Sequence, residues 1–349
     1  MTVRRRGANA LPLLRLALWI AVPGVVAWVA WTHRESLAGA LRLMRHAELR
    51  WLAGGAVAVA TLYLCRAFVY RVPLRLLGYS AGLAFLWSAA MTTSALQQIL
   101  PAGGAVGYAF LTYAMHQRGV PAGRASLIAL VDTLSYAFAV ATLVIGSLVW
   151  LGVTGHLHLE AFRSLFLAGV VILAIGVWIY WLQRERRRFV RVVLRIGRRI
   201  VTSLGRRWRE EPVRDFLDEF YRGKGLIRRR PRAFVGMIGL QYVAVACDAA
   251  TLYAAFVALG QWPRPSIVFL GFVVAMGGAS AISVPGGGGT FETLMSAFFV
   301  SEGIPAADAI AATLLFRAIT FWLPVAVAGL VLLRLRRRRH EIRRDAEAA

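Results

Sequence analysis

The stretch SVPGGGGTFE at residues 283–292 interrupts an apolar run that is otherwise long enough to cross a bilayer. A proline is followed by four glycines, and the carboxylate of Glu292 stands three residues after the last of them. Backbone that leaves a helix inside hydrocarbon loses hydrogen bonds, and each loss is costly unless protein or water replaces it. The stretch therefore predicts a helix break that lines a cavity or is buried in protein.

The rest of the chain is as apolar as this run. It has 349 residues, of which 58% are hydrophobic, and a mean hydropathy of +0.61. Apolar runs near the length of a membrane span occur at 11–32, 51–70, 125–153, 161–182, 233–259 and 308–333. Two further apolar blocks, 79–117 and 265–300, are each split by a Pro-Gly cluster. We predict an all-α, polytopic helical membrane protein with about six full spans and two broken or re-entrant hairpins.

Positive charge is concentrated beside these runs. The net charge is +24, and residues 183–232 contain 18 Lys and Arg against 6 Asp and Glu. Basic segments next to spans mark the cytoplasmic side. We therefore expect a bacterial plasma (inner) membrane protein with cytoplasmic termini, one transmembrane domain over 1–333, a basic loop at 183–232 and a basic tail at 334–349. Because the basic segments lie next to the spans, nucleic acid is not favoured as the partner of this positive charge.

The two broken blocks resemble each other. Eight residues of the first block recur 184 positions later without a gap, and the most specific matches are Pro101, Gly103, Gly104, Gly119 and Pro121 with Pro285, Gly287, Gly288, Gly303 and Pro305. Three spans separate corresponding points, so the second copy should be inverted. We predict repeats over about 51–153 and 233–333, the first hairpin opening to the cytoplasm and the second to the outside. Interrupted helices in two inverted halves indicate a transporter site near the bilayer midplane.

The second break has the residue types of an anion site. Glycines permit tight turns, Thr290 is suited to cap a new half-helix, and free amide groups at its start favour negative charge. Gln97 and Gln98, just before Pro101, offer neutral hydrogen bonds to the same cavity. The predicted substrate-binding residues are Glu292, Arg317, Gly286, Gly287, Gly289, Thr290, Gln97, Gly103 and Gly104. Alternatively, the glycines serve close helix packing.

Five ionisable residues fall at membrane depth, namely Arg66, Asp132, Asp248, Glu292 and Arg317. Each costs about 3 kcal/mol or more at the bilayer centre and should face the bundle interior with a partner. We expect Glu292 to pair with Arg317, and Arg66 to pair with Asp248 or Asp132. The pairs are either purely structural, or they bind an anionic headgroup or relay a proton.

Residues 186–208 predict an interfacial helix. Phe189, Val193, Ile196, Ile200 and Leu204 share one stripe, and arginines occupy much of the remainder. Such a helix suits an anionic inner leaflet, although a solvated loop is the alternative. Elsewhere, His156, His158 and Glu160 lie in a short loop without further ligands, so no metal and no cofactor are expected.

The sequences ISVPGGGGTFE and GIPAADAIAATLLFRAITFWLPVAVAGL resemble the lysylphosphatidylglycerol synthase transmembrane region family, which are flippase-like integral membrane proteins. The resemblance covers nearly the whole chain. It carries over to Pro285, Gly286, Gly287, Gly289, Glu292 and Arg317, and it implies lipid translocation between leaflets. The first-half motif departs from the family, because the residues of GGAVGYAFLTY are mostly apolar. No soluble synthase domain follows residue 349, so we do not expect this chain to make aminoacylated lipid.

Two functions from different classes fit the sequence. The first is a lipid flippase or transporter that moves an anionic or polyprenyl-type lipid by alternating access of a midplane cavity. The second is a non-transporting scaffold that recruits a lipid-biosynthetic enzyme through the Arg-rich loop. An enzyme is not expected, since the sequence has no P-loop, nucleophile elbow, zinc-protease helix or paired catalytic carboxylates.

Overall fold

The computed structural model describes residues 34–99, 103–153, 186–203, 210–282, 290–331 and 333. The predicted spans 11–32 and 161–182, the glycines Gly286, Gly287 and Gly289, the loop with His156, His158 and Glu160, and the tail 334–349 lie outside these residues. The helices are α1 (Arg34–Arg45), α2 (Leu49–Leu76), α3 (Leu83–Ile99), α4 (Gly103–His116), α5 (Ala122–Val153), α6 (Arg186–Ser203), α7 (Glu211–Arg228), α8 (Pro231–Ala258), α9 (Pro265–Ile282), α10 (Thr290–Ser301) and α11 (Ala306–Val331).

Four of these helices, α2, α5, α8 and α11, are long and apolar enough to cross a membrane. They coincide with the four predicted spans that fall within the described residues. The part of the chain that the structure describes contains helices and no strand. The prediction of a polytopic helical membrane protein is thereby confirmed, because helices of this length satisfy their own backbone groups inside hydrocarbon.

The two broken blocks form helical hairpins. The arms pair as α3 with α4 and as α9 with α10. Glycines permit the close approach of the arms: a Cβ on Gly107 would stand 2.5 Å from Gln97, and one on Gly271 would stand 2.6 Å from Phe298. The arms have 12 to 18 residues, or about 18–27 Å of helix, which is shorter than the hydrocarbon core of about 30 Å. Arms of this length favour re-entrant hairpins over full crossings.

The first helices of the two repeats, α2 and α8, pack against each other along their length. They run antiparallel: the amide of Glu48 donates to the carbonyl of Ala258 over 2.9 Å, and Thr251 donates to the carbonyl of Gly55 over 3.3 Å. Small residues at Gly55 and Ala254 permit this close contact. An antiparallel pairing of equivalent helices is the relation that an inverted repeat requires.

The hairpins enter the bundle from opposite ends of α2. The open end of the α3–α4 hairpin lies beside α7, where Arg124 Nε donates to Glu219 Oε2 over 2.7 Å. The open end of the α9–α10 hairpin lies at the other end, where α1 packs on α11 and a Cβ on Gly39 would stand 3.4 Å from Ala307. The first hairpin thus opens on the side of the basic segment 183–232, as the sequence predicts, while the assignment of that side to the cytoplasm stays a prediction.

Equivalent glycines end the corresponding helices of the repeats. Gly78, Gly119, Gly260 and Gly303 all have φ between 79° and 85°, which an L side chain adopts only with strain. In each case the amide of the residue after the glycine donates to the carbonyl five residues before it, as Val120 does to Met115 and Ile304 to Phe299. Pro121 and Pro305 then start the next helices. The matches found by sequence therefore mark turns at the same places.

The basic segment packs beneath the first hairpin. Helix α7 rests on α5, where a Cβ on Gly123 would stand 2.2 Å from the carbonyl oxygen of Phe216. Helix α6 contacts α7 through Phe189, whose ring lies edge-on to Tyr221 at 6.2 Å between centroids. The predicted helix at 186–208 is present over Arg186–Ser203, and Ile196 on its apolar stripe is 52% exposed. This exposed stripe flanked by arginines fits the predicted interfacial position.

The opposed hairpins can be tested by labelling. Gln117 and Ser301 occupy equivalent, exposed positions at the open ends of the two hairpins. We expect a membrane-impermeant maleimide to reach Gln117→Cys only from the cytoplasm and Ser301→Cys only from outside, in a background where Cys65 and Cys247 are replaced by Ala. Labelling of both cysteines from one side would show that the two hairpins are not opposed.

Candidate functional site

The site centres on Arg317, the twelfth residue of the 26-residue helix α11. Its Nε donates to Glu292 Oε1 of α10, forming the predicted ion pair. The guanidinium also lies over the ring of Phe291 at 4.9 Å from the centroid. Both charged side chains are about a quarter exposed, at 25% and 26%, and the pair lies near the middle of α11. A pair at this depth interacts more strongly than one in water.

The same guanidinium reaches the first hairpin. Arg317 Nη1 donates to Gln98 Oε1 over 3.1 Å. Gln98 in turn donates to Ser94, whose hydroxyl accepts a hydrogen bond from Tyr63 of α2 over 3.0 Å. One chain of hydrogen bonds therefore joins α2, α3, α11 and α10. Gln98 lies in the last turn of α3 and Glu292 in the first turn of α10, so one arm of each hairpin contacts Arg317.

Local sequence explains the positions of Glu292 and Arg317. Helix α10 begins at Thr290, so Glu292 lies in its first turn, where the helix dipole favours a carboxylate. Directly after Arg317, a π-helical turn spans Ala318–Trp322. Pro324 would meet the carbonyl of Thr320 in a regular helix, and the wider turn accommodates it. Such turns are frequent at functional sites.

A second polar cluster lies in the first repeat around Asp132 of α5. Gln241 of α8 donates to Asp132 Oδ1 over 2.9 Å and to Ser135 over 3.3 Å. The hydroxyl of Tyr108 in α4 lies 3.5 Å from Asp132 Oδ2. Asp132, Ser135 and Gln241 are all buried. The carboxylate is thus held by neutral donors rather than by a close ion pair.

The contacts of Glu292 and Tyr108 are equivalent in the two repeats. Tyr108 precedes Glu292 by the repeat interval, and both residues link the second arm of a hairpin to the following long helix. The apolar-looking GGAVGYAFLTY therefore supplies a phenol where the second repeat has a carboxylate. Sequence reasoning missed Tyr108, although its register with Glu292 was a signal that could have found it. Gln241, Ser94 and Tyr63 carried no such signal.

Arg66 and Asp248 lie between the two clusters. The charge of Arg66 interacts with Asp132 and with Asp248, and Arg317 also acts on Asp248. The guanidinium carbon of Arg66 lies 5.4 Å from the centre of the Tyr136 ring. The sequence predicted either Asp132 or Asp248 as the partner of Arg66. The structure places Arg66 within electrostatic reach of both. The five ionisable residues at membrane depth therefore form one connected group.

Other predicted residues are placed as follows. Gln97 packs against Gly107, and it is its neighbour Gln98 that binds Arg317. Gly103 and Gly104 are the first residues of α4, Thr290 is the first residue of α10, and their role in binding stays a prediction. Within the described ranges, no group of three or more His, Cys, Asp and Glu residues could hold a metal ion.

Comparison with known proteins agrees with this architecture. Residues 13–328 match the lysylphosphatidylglycerol synthase TM region family. The chain belongs to this family. It is similar to the UPF0104 membrane protein MJ1595 of Methanocaldococcus jannaschii, with 24% identity over 76% of this chain and 78% of that protein. It is also similar to the UPF0104 membrane protein PH1989 of Pyrococcus horikoshii, with 28% identity over 36% of each chain, so the match spans about a third of that relative.

The depth of the Glu292–Arg317 pair can be tested against a matched control. The Arg124–Glu219 pair has nearly the same exposure, at 23% and 28%, but lies at the edge of the bundle. In double-mutant cycles with Glu→Gln and Arg→Met, we expect a coupling of about 1–3 kcal/mol for Glu292 and Arg317. For Arg124 and Glu219 we expect about 0.2–1 kcal/mol. Unfolding in mixed micelles measures both, and equal couplings would argue against a low-dielectric site.

Proposed function

We propose that this member of the family moves an anionic lipid between leaflets by alternating access, as a transporter rather than an enzyme. The observation that carries the proposal is the contact of Arg317 with one arm of each hairpin, through Glu292 and Gln98. Two inverted hairpins that enter from opposite ends and share one polar site provide two routes to that site, one from each side. If the two hairpins took turns in lying close to Arg317, the site would open alternately to each side of the membrane.

Arg317 is the proposed headgroup ligand. Its guanidinium already binds the carboxylate of Glu292 and the amide oxygen of Gln98, so it is oriented toward oxygen acceptors at the point where the hairpins meet. A lipid phosphate offers the same planar pairing with guanidinium. We infer that Glu292 occupies the place of an anionic headgroup when the site is empty and yields it when lipid enters. The bound anion would thereby loosen the contact with the second hairpin.

The proposal predicts a loss of exchange on substitution of Arg317. In proteoliposomes, dithionite quenching of fluorescent phosphatidylglycerol measures transfer between leaflets. We expect Arg317→Gln to slow it about 10- to 100-fold, because one or two charged hydrogen bonds to the headgroup are lost. Arg317→Lys should retain part of the rate, since lysine keeps the charge without the planar fork.

The control for this experiment is Arg124→Gln, which removes an ion pair of matched exposure outside the site. It should leave exchange near the wild-type rate. A fluorescent phosphatidylcholine, which has no net charge, should be exchanged more slowly than phosphatidylglycerol by the wild type and equally slowly by Arg317→Gln. Unchanged exchange of both lipids in Arg317→Gln would contradict the assignment of the site.

The scaffold function is the second candidate, and helix α6 favours it. Among its arginines, Arg188, Arg191, Arg195, Arg198 and Arg199 are exposed, and a basic helix beside a bundle suits an acidic partner as well as an anionic leaflet. The packing of α7 on α5 and of α6 on α7 connects this helix to the first hairpin. A lipid-biosynthetic enzyme is the partner class that a scaffold of this kind would recruit.

Deletion of residues 186–208 distinguishes the two candidates. A transporter should keep exchange in proteoliposomes after the deletion, because the hairpins and Arg317 remain. A scaffold should lose its function in cells outright while the purified protein shows no exchange before or after the deletion. Leaflet-resolved lipid analysis of cells that carry the deletion provides the cellular measurement.

A further inference from the structure

The ionisable residues at membrane depth do not balance. Two guanidinium groups, Arg66 and Arg317, face three carboxylates, Asp132, Asp248 and Glu292. If all five were ionised, this connected group would carry one net negative charge. An uncompensated charge inside the bundle is costly, and each further negative charge raises that cost.

The contacts indicate which of the three carboxylates lacks a close partner among the described residues. Glu292 has the guanidinium of Arg317, and Asp132 has the amide of Gln241 with the hydroxyl of Tyr108 nearby. Asp248, on α8, accepts no hydrogen bond and forms no close ion pair with any residue in the ranges that the structure covers. Asp248 is half-buried, so its carboxylate is partly desolvated but can still exchange a proton with water.

The charged and titratable groups that interact with Asp248 come from three helices packed against α8 and from α8 itself. From α2 they are Arg66 and Tyr63, from α5 Tyr136, from α11 Arg317, and on α8 itself Cys247. The two arginines are already engaged, because Arg317 binds Glu292 and the field of Arg66 is shared with Asp132. Neither of them neutralises Asp248 fully.

We propose that Asp248 is a proton-binding site that couples proton movement to lipid movement. This inference rests on the proposed function. When an anionic headgroup reaches Arg317, the group gains a second excess negative charge, and uptake of a proton from water by the Asp248 carboxylate offsets it. The proton leaves again to water when the lipid does. By reciprocity, a lower pH strengthens binding of the anionic lipid.

A proton fits the site better than a metal cation does. Na⁺ and larger cations need several oxygen ligands, whereas Asp248 has two guanidinium groups within electrostatic reach that would repel a metal ion. Neutralisation by a proton needs no further ligand.

The first experiment measures proton uptake on lipid binding by the purified protein in weakly buffered detergent. The probe is short-chain phosphatidylglycerol, with short-chain phosphatidylcholine for comparison, and a pH indicator provides the signal. The wild type should take up protons with phosphatidylglycerol only. Asp248→Asn should lose this uptake, Asp248→Glu should keep it, and Asp308→Asn, which alters a buried carboxylate outside the group, should match the wild type.

The second experiment measures the ratio of leaflet exchange with and without an imposed pH gradient in proteoliposomes. The ratio should exceed one in the wild type and in Asp308→Asn, and it should fall to one in Asp248→Asn. A gradient of Na⁺ in place of H⁺ should have no effect, and a response to Na⁺ would overturn the proposal.

The outcomes separate the two proposals. A wild type that exchanges lipid without proton uptake and without a response to the pH gradient overturns the coupling alone. Retention of proton uptake by Asp248→Asn overturns the assignment to Asp248. A wild type that exchanges no lipid overturns the transport function and the coupling together.

Discussion

The guanidinium of Arg317 is the contact on which the rest of the arrangement depends. It is one group that binds Glu292 from the second hairpin and Gln98 from the first, inside a bundle whose outer surface is apolar. A charge in this position requires a partner, and the partner requires a helix start close by. Helix α10 starts at Thr290, two residues before Glu292. The helix start and the Glu292–Arg317 pair therefore act together to lower the cost of burying a charge in the bundle.

The two repeats make an equivalent contact with different residue types. Both place a side chain from the second arm of a hairpin against the long helix that follows, but one contact is Tyr108 with Asp132 and the other is Glu292 with Arg317. The charges of Arg66 and Asp248 connect the two contacts, because Arg66 interacts with Asp132 and Asp248 interacts with Arg66 and Arg317. In the proposed mechanism, Arg317 on one side of this arrangement binds the anion and Asp248 binds the proton.

Much of the fold could be predicted because the bilayer restricts the choices. Apolar length predicted α2, α5, α8 and α11, and the register of Gly119 and Gly303 predicted equivalent turns that the structure confirms. The pairing of Glu292 with Arg317 was also predictable, since few charges lie at membrane depth. Gln98 was named from its position before Pro101, but the choice between Gln97 and Gln98 depends on which face of α3 turns toward Gly107 and which toward α11.

The sequence by itself determined that this is a helical membrane protein with two similar, interrupted halves and a handful of buried charges. Hydrophobic length, glycine and proline spacing and charge position are local properties, and a hydrocarbon environment converts them directly into structure. Only the tertiary structure decided that Arg317 binds Gln98 of the first hairpin and Glu292 of the second. It also decided that Gln241 donates to Asp132, and that Asp248 accepts no hydrogen bond within the described residues. Those facts depend on side-chain direction and helix register across α2, α5, α8 and α11, which no spacing along one chain specifies.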